Sequence, residues 1–343
     1  MKAARLHSWD SDHLRIDDVD EPKIKEPHDV IVRIGGAGLC RTDLHIIEGI
    51  LRETFPDRTL PYTLGHENAG WVEEVGQSVT AVASGDPVIV HPKVSCGVCL
   101  ACRRGEDMYC ENDAFPGLDS DGGFAEFLKT GERALVKLDP SLQPKDVAAF
   151  ADAGITAYRA AKKAARILPA GTRCVVVGCG GLGHIGIQCL RAMSPVEIIA
   201  ADVSEEACKL AEQTGADHVI EAGGGVVDRV LSLTDGRGAE AVLDFVGEHG
   251  VPEQVPGMLA QGGTYFVVGY GENVNIPNWD FVIREINVVG NLVGNYTELA
   301  ELMALAARGK VKLHTQTYAI DDINQAIDDL NGGRLAGRGI LVP

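Results

Sequence analysis

Four cysteines lie close together in the segment VSCGVCLACRRGEDMYC, with the spacing C-x2-C-x2-C-x7-C. They are Cys96, Cys99, Cys102 and Cys110. Thiolates at this spacing can surround one zinc ion as a tetrahedron, and four sulfur ligands leave no open position for a substrate. An iron–sulfur centre would use the same ligand type, whereas unrelated surface thiols would be reactive. We therefore predict a structural zinc site in this segment.

A second group of metal-binding residue types precedes the first. Cys40 lies in GGAGLCRTDLHIIEG, and His66 and Glu67 lie in LPYTLGHENAGWVEEVG. A cysteine and a histidine supported by a carboxylate can begin an open zinc site, in which one coordination position stays free for water or substrate. Such a site needs a third protein ligand. Taken alone, each piece also has an ordinary interpretation, as a solvated His–Glu turn or as a cysteine of the core.

The segment TRCVVVGCGGLGHIGIQCLRAM combines a short apolar strand, a glycine-rich turn and a helical pattern. Glycines in such a turn let the backbone approach a pyrophosphate, which then lies at the N-terminus of the helix. The next strand pattern ends in Asp202, where a carboxylate can accept hydrogen bonds from the ribose hydroxyls. It would repel a 2′-phosphate, and the following residues VSEE supply no cation, so we predict NAD rather than NADP. The residues assigned to the cofactor here are Gly178, Gly180, Gly181, Leu182, Gly183 and Asp202.

Strand and helix patterns alternate from residue 154 to residue 293, with strand patterns near residues 217, 239, 262 and 286. This alternation predicts a doubly wound parallel sheet of the Rossmann type. Strand and turn signals dominate the preceding residues. We therefore predict an α/β cofactor-binding domain together with a β-rich domain.

Length and composition limit the class of protein. The chain has 343 residues, and 45% of them are hydrophobic, which predicts two globular domains. Its formal charge of −18 argues against nucleic acid or an anionic membrane as a partner. We find no apolar run long enough for a signal peptide or a membrane span. We therefore expect a cytoplasmic protein, in which the nine cysteines stay reduced and serve a metal or catalysis rather than disulfides.

Taken in order, three motifs resemble those of the zinc-dependent medium-chain alcohol dehydrogenases, and the resemblance covers essentially the whole chain. The motifs are C-R-T-D-x-H from Cys40, G-H-E-x2-G from Gly65, and the four-cysteine segment. The chain looks most similar to bacterial and archaeal members. The resemblance implies reversible hydride transfer between a primary or secondary alcohol and NAD, two zinc ions per chain, and a homotetramer or a homodimer. It also implies that residues 1–153 and 294–343 form a GroES-like β catalytic domain and that residues 154–293 form the Rossmann domain.

The resemblance also assigns roles around the open zinc site. The third zinc ligand of the family is usually a cysteine, and the matching position here is Asp152, whose carboxylate oxygen is a competent zinc ligand. The zinc ligands would then be Cys40, His66 and Asp152. Glu67 is expected beside the metal, as an occasional ligand. Asp43 is expected to hydrogen-bond the ligand histidine and so to orient it.

Further implied roles concern the proton and the cofactor phosphates. In the family, a Ser or Thr two residues after the first ligand passes the alcohol proton through the cofactor ribose to a histidine. Thr42 and His45 occupy these positions, and a histidine can release a proton to solvent near neutral pH. Arg41 and Arg338 match arginines that face the pyrophosphate, where cations offset the acidity of the chain.

Three alternatives stay open on the sequence alone. A zinc-independent quinone or enoyl reductase of the same superfamily would use NADPH, and a non-catalytic zinc and NAD binder would not need Thr42 and His45. A polyol dehydrogenase of the same zinc family would need more polar groups in its pocket. Lys93 bears on this question, because a lysine that faces the pocket favours a polar or acidic substrate. A lysine that points outward favours a medium-sized primary or secondary alcohol, which is our expectation.

Overall fold

The structure is a computed structural model that describes residues 1–9, 11–54 and 59–343. These residues form two compact units. The first unit comprises Met1–Ile155, Gly294–Ala307 and Leu313–Pro343, and the second comprises Thr156–Val293 and Arg308–Lys312. Within the described part of the chain, no helix has both the length and the apolar composition that crossing a membrane requires.

The strands and helices of the described residues are numbered in chain order. The strands are β1 (Lys2–Leu6), β2 (Arg15–Asp18), β3 (Asp29–Leu39), β4 (Tyr62–Thr63), β5 (Glu67–Val75), β6 (Pro87–Val90), β7 (Phe127–Gly131), β8 (Leu135–Lys137), β9 (Arg173–Val177), β10 (Glu197–Asp202), β11 (His218–Glu221), β12 (Ala239–Asp244), β13 (Leu259–Val267), β14 (Asn287–Gly290), β15 (Thr315–Ala319) and β16 (Arg338–Val342). The helices are α1 (Arg41–Ile47), α2 (Leu100–Arg103), α3 (Pro144–Val147), α4 (Ala153–Ala165), α5 (Gly183–Met193), α6 (Glu205–Thr214), α7 (Val226–Leu233), α8 (Val251–Met258), α9 (Asn278–Ile283), α10 (Tyr296–Ala307) and α11 (Ile323–Asn331). Short 3-10 turns lie at Asp107–Tyr109, Glu132–Ala134, Ala148–Phe150 and Ile320–Asp322.

The first unit is built on β-sheets. A three-stranded antiparallel sheet has the order β2-β1-β4, and a seven-stranded mixed sheet has the order β15-β16-β3-β5-β6-β8, with β7 also paired to β3. Leu39, Leu64 and Phe124 are among the fully buried side chains of its core. This arrangement confirms the prediction of a β-rich domain.

The long strand β3 organises the part of the first unit that carries the metal-binding residue types. Its sequence DVIVRIGGAGL is almost continuously buried, which suits a central strand covered on both faces. Near its end, Gly38 pairs with Glu67 of β5, and Leu39 pairs with Gly339 of β16. The end of β3 and the beginnings of β5 and β16 therefore meet at one place.

The second unit contains a six-stranded parallel sheet with the order β11-β10-β9-β12-β13-β14. In chain order this is 3-2-1-4-5-6, the strand order of a Rossmann fold. Strands β9 and β10 are nearly fully buried because helices cover both faces of such a sheet. The predicted doubly wound parallel sheet is therefore confirmed, and the strands expected near residues 217, 239, 262 and 286 form as β11, β12, β13 and β14.

Candidate active site

Four potential metal ligands converge where the ends of β3, β5 and β16 meet. Ligand atoms of Cys40, His66, Glu67 and Asp152 all lie within 4.8 Å of one another. Cys40 directly follows β3, and His66 directly precedes β5, so the pairing of these two strands brings both residues together. Asp152 lies just before α4. Residues that are far apart in the sequence thus form one cluster.

His66 has the surroundings of a metal ligand. Its side chain is 1% exposed, and its Nδ1 and Nε2 lie 3.3 Å from Asp43 Oδ1 and 3.5 Å from Asp152 Oδ2. Neither ring nitrogen has a hydrogen-bond partner among the described residues, although both are buried. A buried ring nitrogen without a partner destabilises the folded protein unless a further group binds it. A metal ion held by Cys40, His66 and Asp152 would satisfy Nε2, so the residues fit the ion that the sequence predicts.

The charges around His66 act on its protonation. Burial lowers the pKa of His66, but the negative charges of Asp43 and Asp152 outweigh burial and raise it well above its usual value. Asp43 is itself held in place, because its Oδ2 accepts a hydrogen bond of 2.9 Å from the backbone N–H of Cys40. Asp43 thus lies beside His66, and its role in orienting a ligand histidine stays a prediction.

Glu67 is fully buried and is held by two groups. Its Oε1 accepts a 2.9 Å hydrogen bond from the backbone N–H of Ala153, and its Oε2 forms an ion pair with Arg338. A Cβ atom at position 38 would lie 2.0 Å from Glu67 Oε2, so only glycine leaves room for this side chain. Burial raises the pKa of Glu67, and Arg338 opposes that shift.

The pairing of Arg338 with Glu67 was not expected from the sequence. The Arg338 side chain is 4% exposed, and its guanidinium donates to the Glu67 carboxylate. Burial lowers the pKa of Arg338, but Glu67 and Cys40 raise it more, so the arginine stays charged. Its assignment to the cofactor pyrophosphate stays a prediction. Gly38, which leaves room for the Glu67 side chain, is the one local signal of close packing here, and it does not identify Arg338 as the partner.

The predicted proton relay lies on α1, next to the metal ligands. Thr42 and His45 are half-buried on this helix, which begins directly after Cys40. Arg41 is exposed, and one of its guanidinium nitrogens lies 3.4 Å from Asn331 Oδ1. The short helix therefore presents these residues close to the cluster, and their assigned roles stay predictions.

The four-cysteine segment forms a second cluster. Ligand atoms of Cys96, Cys99, Cys102 and Cys110 lie within 4.8 Å of one another. A zinc tetrahedron with bonds of about 2.3 Å places its sulfur atoms about 3.8 Å apart, and Cys99 Sγ and Cys110 Sγ are 3.9 Å apart. Hydrogen bonds from the backbone N–H groups of Val98 and Cys99 lower the pKa of Cys96 to about 6, which favours the thiolate that a metal requires. These residues fit the predicted structural zinc.

Replacing Cys99 with serine is expected to remove one zinc ion per chain. It should also lower the melting temperature (Tm) by at least about 5 °C, because each kcal/mol of unfolding free energy lost lowers the Tm of a domain of this size by roughly 2–4 °C. Turnover per remaining folded chain should change little. Metal analysis, thermal unfolding and activity measure these effects. Cys208→Ser is the matched control, because Cys208 lies outside the cluster. Unchanged zinc content in Cys99→Ser would contradict the site.

Lys93 anchors the four-cysteine segment. Its Nζ donates a 2.8 Å hydrogen bond to the carbonyl oxygen of Met108 and forms a 2.7 Å ion pair with Asp113. The neighbouring Asp107 carboxylate accepts hydrogen bonds of 3.1 and 3.2 Å from the backbone N–H of Tyr296. The ammonium group of Lys93 is therefore already engaged by a carboxylate and a backbone carbonyl oxygen.

The glycine turn after β9 has the geometry of a dinucleotide site. Gly178 has a φ of +83°, a value that favours glycine. A Cβ at Gly183 would lie 1.8 Å from the carbonyl oxygen of Gly178, whereas a Cβ at Gly180 would meet no described atom within 4 Å. The first glycine thus permits the turn, the third permits close helix–strand packing, and the second leaves the backbone approachable. Gly181 and Leu182 complete the turn before α5 begins at Gly183.

Asp202 ends β10 beside this turn. Its Oδ2 accepts a 2.6 Å hydrogen bond from the backbone N–H of Cys179, and its Oδ1 accepts a 2.8 Å hydrogen bond from that of Ser204. A carboxylate has about four acceptor sites, so capacity for a ribose hydroxyl remains. The predicted cofactor residues of the glycine turn and Asp202 are therefore neighbours in the second unit.

Comparisons with known proteins cover both units. Residues 26–140 match the family model for the alcohol dehydrogenase GroES-like domain, and residues 181–308 match that for zinc-binding dehydrogenase. An NAD-dependent alcohol dehydrogenase of Sulfurisphaera tokodaii is 35% identical over 339 residues, covering 96% of each chain. A D-arabinose 1-dehydrogenase (NADP(+)) of Saccharolobus solfataricus is 36% identical and covers 100% of this chain and 97% of its own.

A solved structure is more similar still. The crystal structure of the alcohol dehydrogenase from the archaeon Aeropyrum pernix superposes with a TM-score of 0.97 at 49% identity, covering 100% of both chains. The match to the first family model confirms the predicted GroES-like fold of the β-rich domain. Together with the two clusters of potential metal ligands, these similarities establish that the chain belongs to the zinc-dependent medium-chain alcohol dehydrogenase family.

Proposed function

We propose that this protein is a zinc-dependent alcohol dehydrogenase that transfers hydride reversibly between a primary or secondary alcohol and NAD. The observation that carries the proposal is the buried cluster of Cys40, His66 and Asp152, whose ligand atoms lie within 4.8 Å. Three ligands of this kind leave a fourth coordination position open, as catalysis requires and as the four-cysteine cluster does not. A zinc-independent reductase would have no use for this cluster.

The residues around the open site have separate tasks. Zinc bound there would polarise an alcohol or carbonyl oxygen and lower the pKa of the alcohol. Cys40, His66 and Asp152 would hold the ion, and Asp43, 3.3 Å from His66 Nδ1, would orient the imidazole. Glu67 would stay beside the ion, tied to Arg338, and could become an occasional ligand.

The alcohol proton needs a route out of the site. Thr42 would accept it through its hydroxyl and pass it, by way of the cofactor ribose, to His45. His45 is half-buried on the same helix, and an imidazole can take up a proton and release it to solvent. A protein that only binds zinc and NAD would not need this pair.

The cofactor site draws on the glycine turn and on Asp202. The open backbone at Gly180 and the start of α5 would receive the pyrophosphate, with Gly178, Gly181, Leu182 and Gly183 shaping the turn. Asp202 would accept hydrogen bonds from the ribose and repel the 2′-phosphate of NADP. Arg41, which is exposed, would add positive charge for the phosphates, and Arg338 stays assigned to them as well.

The substrate is best described as a medium-sized primary or secondary alcohol. Lys93 is the residue that could favour an acidic or polyhydroxy substrate, but its ammonium group is paired with Asp113 and Met108. The alternative is a polyol or sugar, since a relative is named a D-arabinose 1-dehydrogenase. The engaged lysine favours the simpler alcohol.

Assembly and location form part of the proposal. Helix α9 exposes Trp279 and Val282 at 72% and 73%, close in sequence to the edge strand β14. An apolar surface beside an unpaired strand edge suits contact with another copy of the chain, and we propose a homotetramer, with a homodimer as the alternative. Cysteines free of disulfides throughout the described residues suit the reducing cytoplasm.

The test is a panel of primary alcohols, secondary alcohols and polyols offered to zinc-loaded protein with NAD or with NADP. We expect reduction of NAD by simple alcohols, and a turnover about 10²-fold lower in Thr42→Val, which removes the relay hydroxyl. Ser141→Ala, which removes an exposed hydroxyl bound to Asp139, is the matched control. Faster reaction with NADP would contradict the role of Asp202. Absence of any alcohol oxidation would overturn the proposed function.

A further inference from the structure

The peptide group between Gly180 and Gly181 lies at the centre of the glycine turn of the second unit. Before it, the turn is tied to β10 by the 2.6 Å hydrogen bond from the backbone N–H of Cys179 to Asp202. After it, α5 begins at Gly183. Because glycine has no Cβ and adopts many backbone conformations, the peptide group between two glycines needs a restraint from another residue.

His184 in the first turn of α5 supplies this restraint. Its ring Nδ1 lies 2.6 Å from the carbonyl oxygen of Gly180, and its backbone nitrogen lies 3.4 Å from the same oxygen. A carbonyl oxygen can only accept, so Nδ1 carries the hydrogen. The backbone bond is longer than the usual range of about 2.7–3.2 Å, so the imidazole makes the stronger contact. His184 is 0% exposed, and water therefore does not compete for this bond.

The direction of this carbonyl determines the direction of the next N–H. The peptide bond between Gly180 and Gly181 is trans, and in a planar trans peptide group the C=O and the N–H point in opposite directions. The Gly180 carbonyl points into α5 toward His184, so the Gly181 N–H points away from the N-terminus of the helix.

The donors of the turn are available to a ligand. Gly181 and Leu182 are half-buried, and neither backbone N–H has a hydrogen-bond partner in the part of the chain that the structure describes. Unpaired N–H groups at a helix N-terminus are the donors that an anionic phosphate group uses. The orientation of the Gly180 carbonyl therefore bears directly on the binding of a pyrophosphate.

We propose that His184 is a positioning residue that keeps the peptide group between Gly180 and Gly181 turned so that its N–H faces the cofactor pyrophosphate. The inference rests on the proposed function, because it requires a dinucleotide at this turn. In the opposite orientation, the partial negative charge of the Gly180 oxygen would face the anionic pyrophosphate. Loss of the imidazole should therefore weaken the binding of ligands that carry a pyrophosphate and leave the binding of adenosine unchanged.

The experiment compares NADH, ADP-ribose and adenosine as ligands of the zinc-loaded protein. NADH is followed by its fluorescence, and the other two are measured by displacement of NADH. ADP-ribose carries the pyrophosphate without the nicotinamide base, and adenosine carries neither. His184→Leu removes the donor and leaves Asp202 in place. It should raise the Kd for NADH and for ADP-ribose about fivefold to tenfold, and that for adenosine less than about twofold.

His184→Asn is the conservative variant. The amide nitrogen of asparagine is attached to Cγ, as Nδ1 is in histidine, and it can donate to the Gly180 carbonyl. Leucine has the same branching at Cγ without a donor. His184→Asn should therefore keep the Kd for NADH and for ADP-ribose within about twofold of the wild-type values. If the folded asparagine variant loses as much affinity as the leucine variant, the side chain serves packing alone and the inference is wrong.

His218→Leu is the matched control, because it makes the same substitution elsewhere in the second unit. The His218 ring lies 2.7 Å from Glu197 Oε1 at the start of β11, whereas the ligand crevice lies at the carboxyl ends of the strands. All three Kd values should stay unchanged. Equal losses for ADP-ribose and adenosine in His184→Leu, or no loss for any ligand, would overturn the inference alone. Failure of the wild-type protein to bind NADH would instead overturn the proposed function, and the inference with it.

A crystal structure of the wild-type protein with ADP-ribose covers the case in which the variants do not fold. His184 Nδ1 should stay within about 3.2 Å of the Gly180 oxygen, and the Gly181 N–H should donate to a pyrophosphate oxygen. A Gly180 carbonyl directed away from His184 in this complex would overturn the inference without any substitution.

Discussion

Replacing Asp152 with alanine is expected to lower the zinc content from two ions per chain to one and to abolish most alcohol oxidation. Removing a residue that only hydrogen-bonds a metal ligand already lowers metal affinity or activity about 10- to 100-fold. Loss of a ligand itself should therefore lower turnover by more than about 100-fold. The remaining zinc belongs to the four-cysteine cluster, which lies apart from Asp152. Metal analysis and NAD-linked activity of the same preparation measure both effects.

Two further variants sharpen this test. Asp152→Cys replaces the carboxylate with the ligand that is usual at the matching position of the family, and it should restore the second zinc ion and part of the activity. Asp146→Ala removes an exposed carboxylate a few residues earlier, paired with Lys145, and should change neither. Two zinc ions and full turnover in Asp152→Ala would show that Asp152 is not a ligand, and Glu67 would become the next candidate.

Replacing Arg338 with methionine is expected to destabilise the metal-free protein by about 3–5 kcal/mol, because a buried carboxylate would lose its countercharge. Glu67 is fully buried, so water cannot replace the guanidinium. Zinc in the adjacent site should reduce the loss, since its positive charge also stabilises Glu67. Denaturant unfolding of the metal-free and zinc-loaded forms, followed through the transition of the first unit, measures the difference.

The matched control for this prediction lies four residues earlier. Arg334 pairs with Asp329 at the surface, and its side chain is 58% exposed, so Arg334→Met should change the free energy of unfolding by less than about 1 kcal/mol. If Arg338→Met weakens NAD binding while stability stays unchanged, Arg338 serves the pyrophosphate as the sequence predicts. If Arg338→Met lowers the free energy of unfolding and the additional change Glu67→Gln partly restores it, the main role of Arg338 is to neutralise the buried Glu67.

The sequence was most informative where the chemistry is local. The four cysteines fall within one short segment, and the three glycines and Asp202 belong to one strand–turn–helix–strand unit. In both cases the spacing along the chain determines the spacing in space. Cys40 and His66 were recognisable because each lies in a distinctive short motif, whereas Asp152 could be assigned only through resemblance to a family.

Long-range pairings could not be predicted in this way. The contact between Glu67 and Arg338 depends on the register of β16 against β3 and of β3 against β5, which no local pattern reveals. The hydrogen bond between the buried side chains of Asp244 and Tyr265 similarly depends on the pairing of β12 with β13. The ammonium group of Lys93 is directed by Asp113 and by a backbone carbonyl, two partners that the expectation of an outward-pointing lysine did not include.

The position of β16 in the chain also has a consequence for biosynthesis. Strand β16 comes after every strand and helix of the second unit, yet it pairs with β3 in the first unit and carries Arg338. Domains generally fold as units while the ribosome is still working. The second unit can therefore form its sheet early. In the first unit, Glu67 lacks its ion-pair partner Arg338 until the last strand emerges. Zinc delivered before that moment would meet an incomplete site.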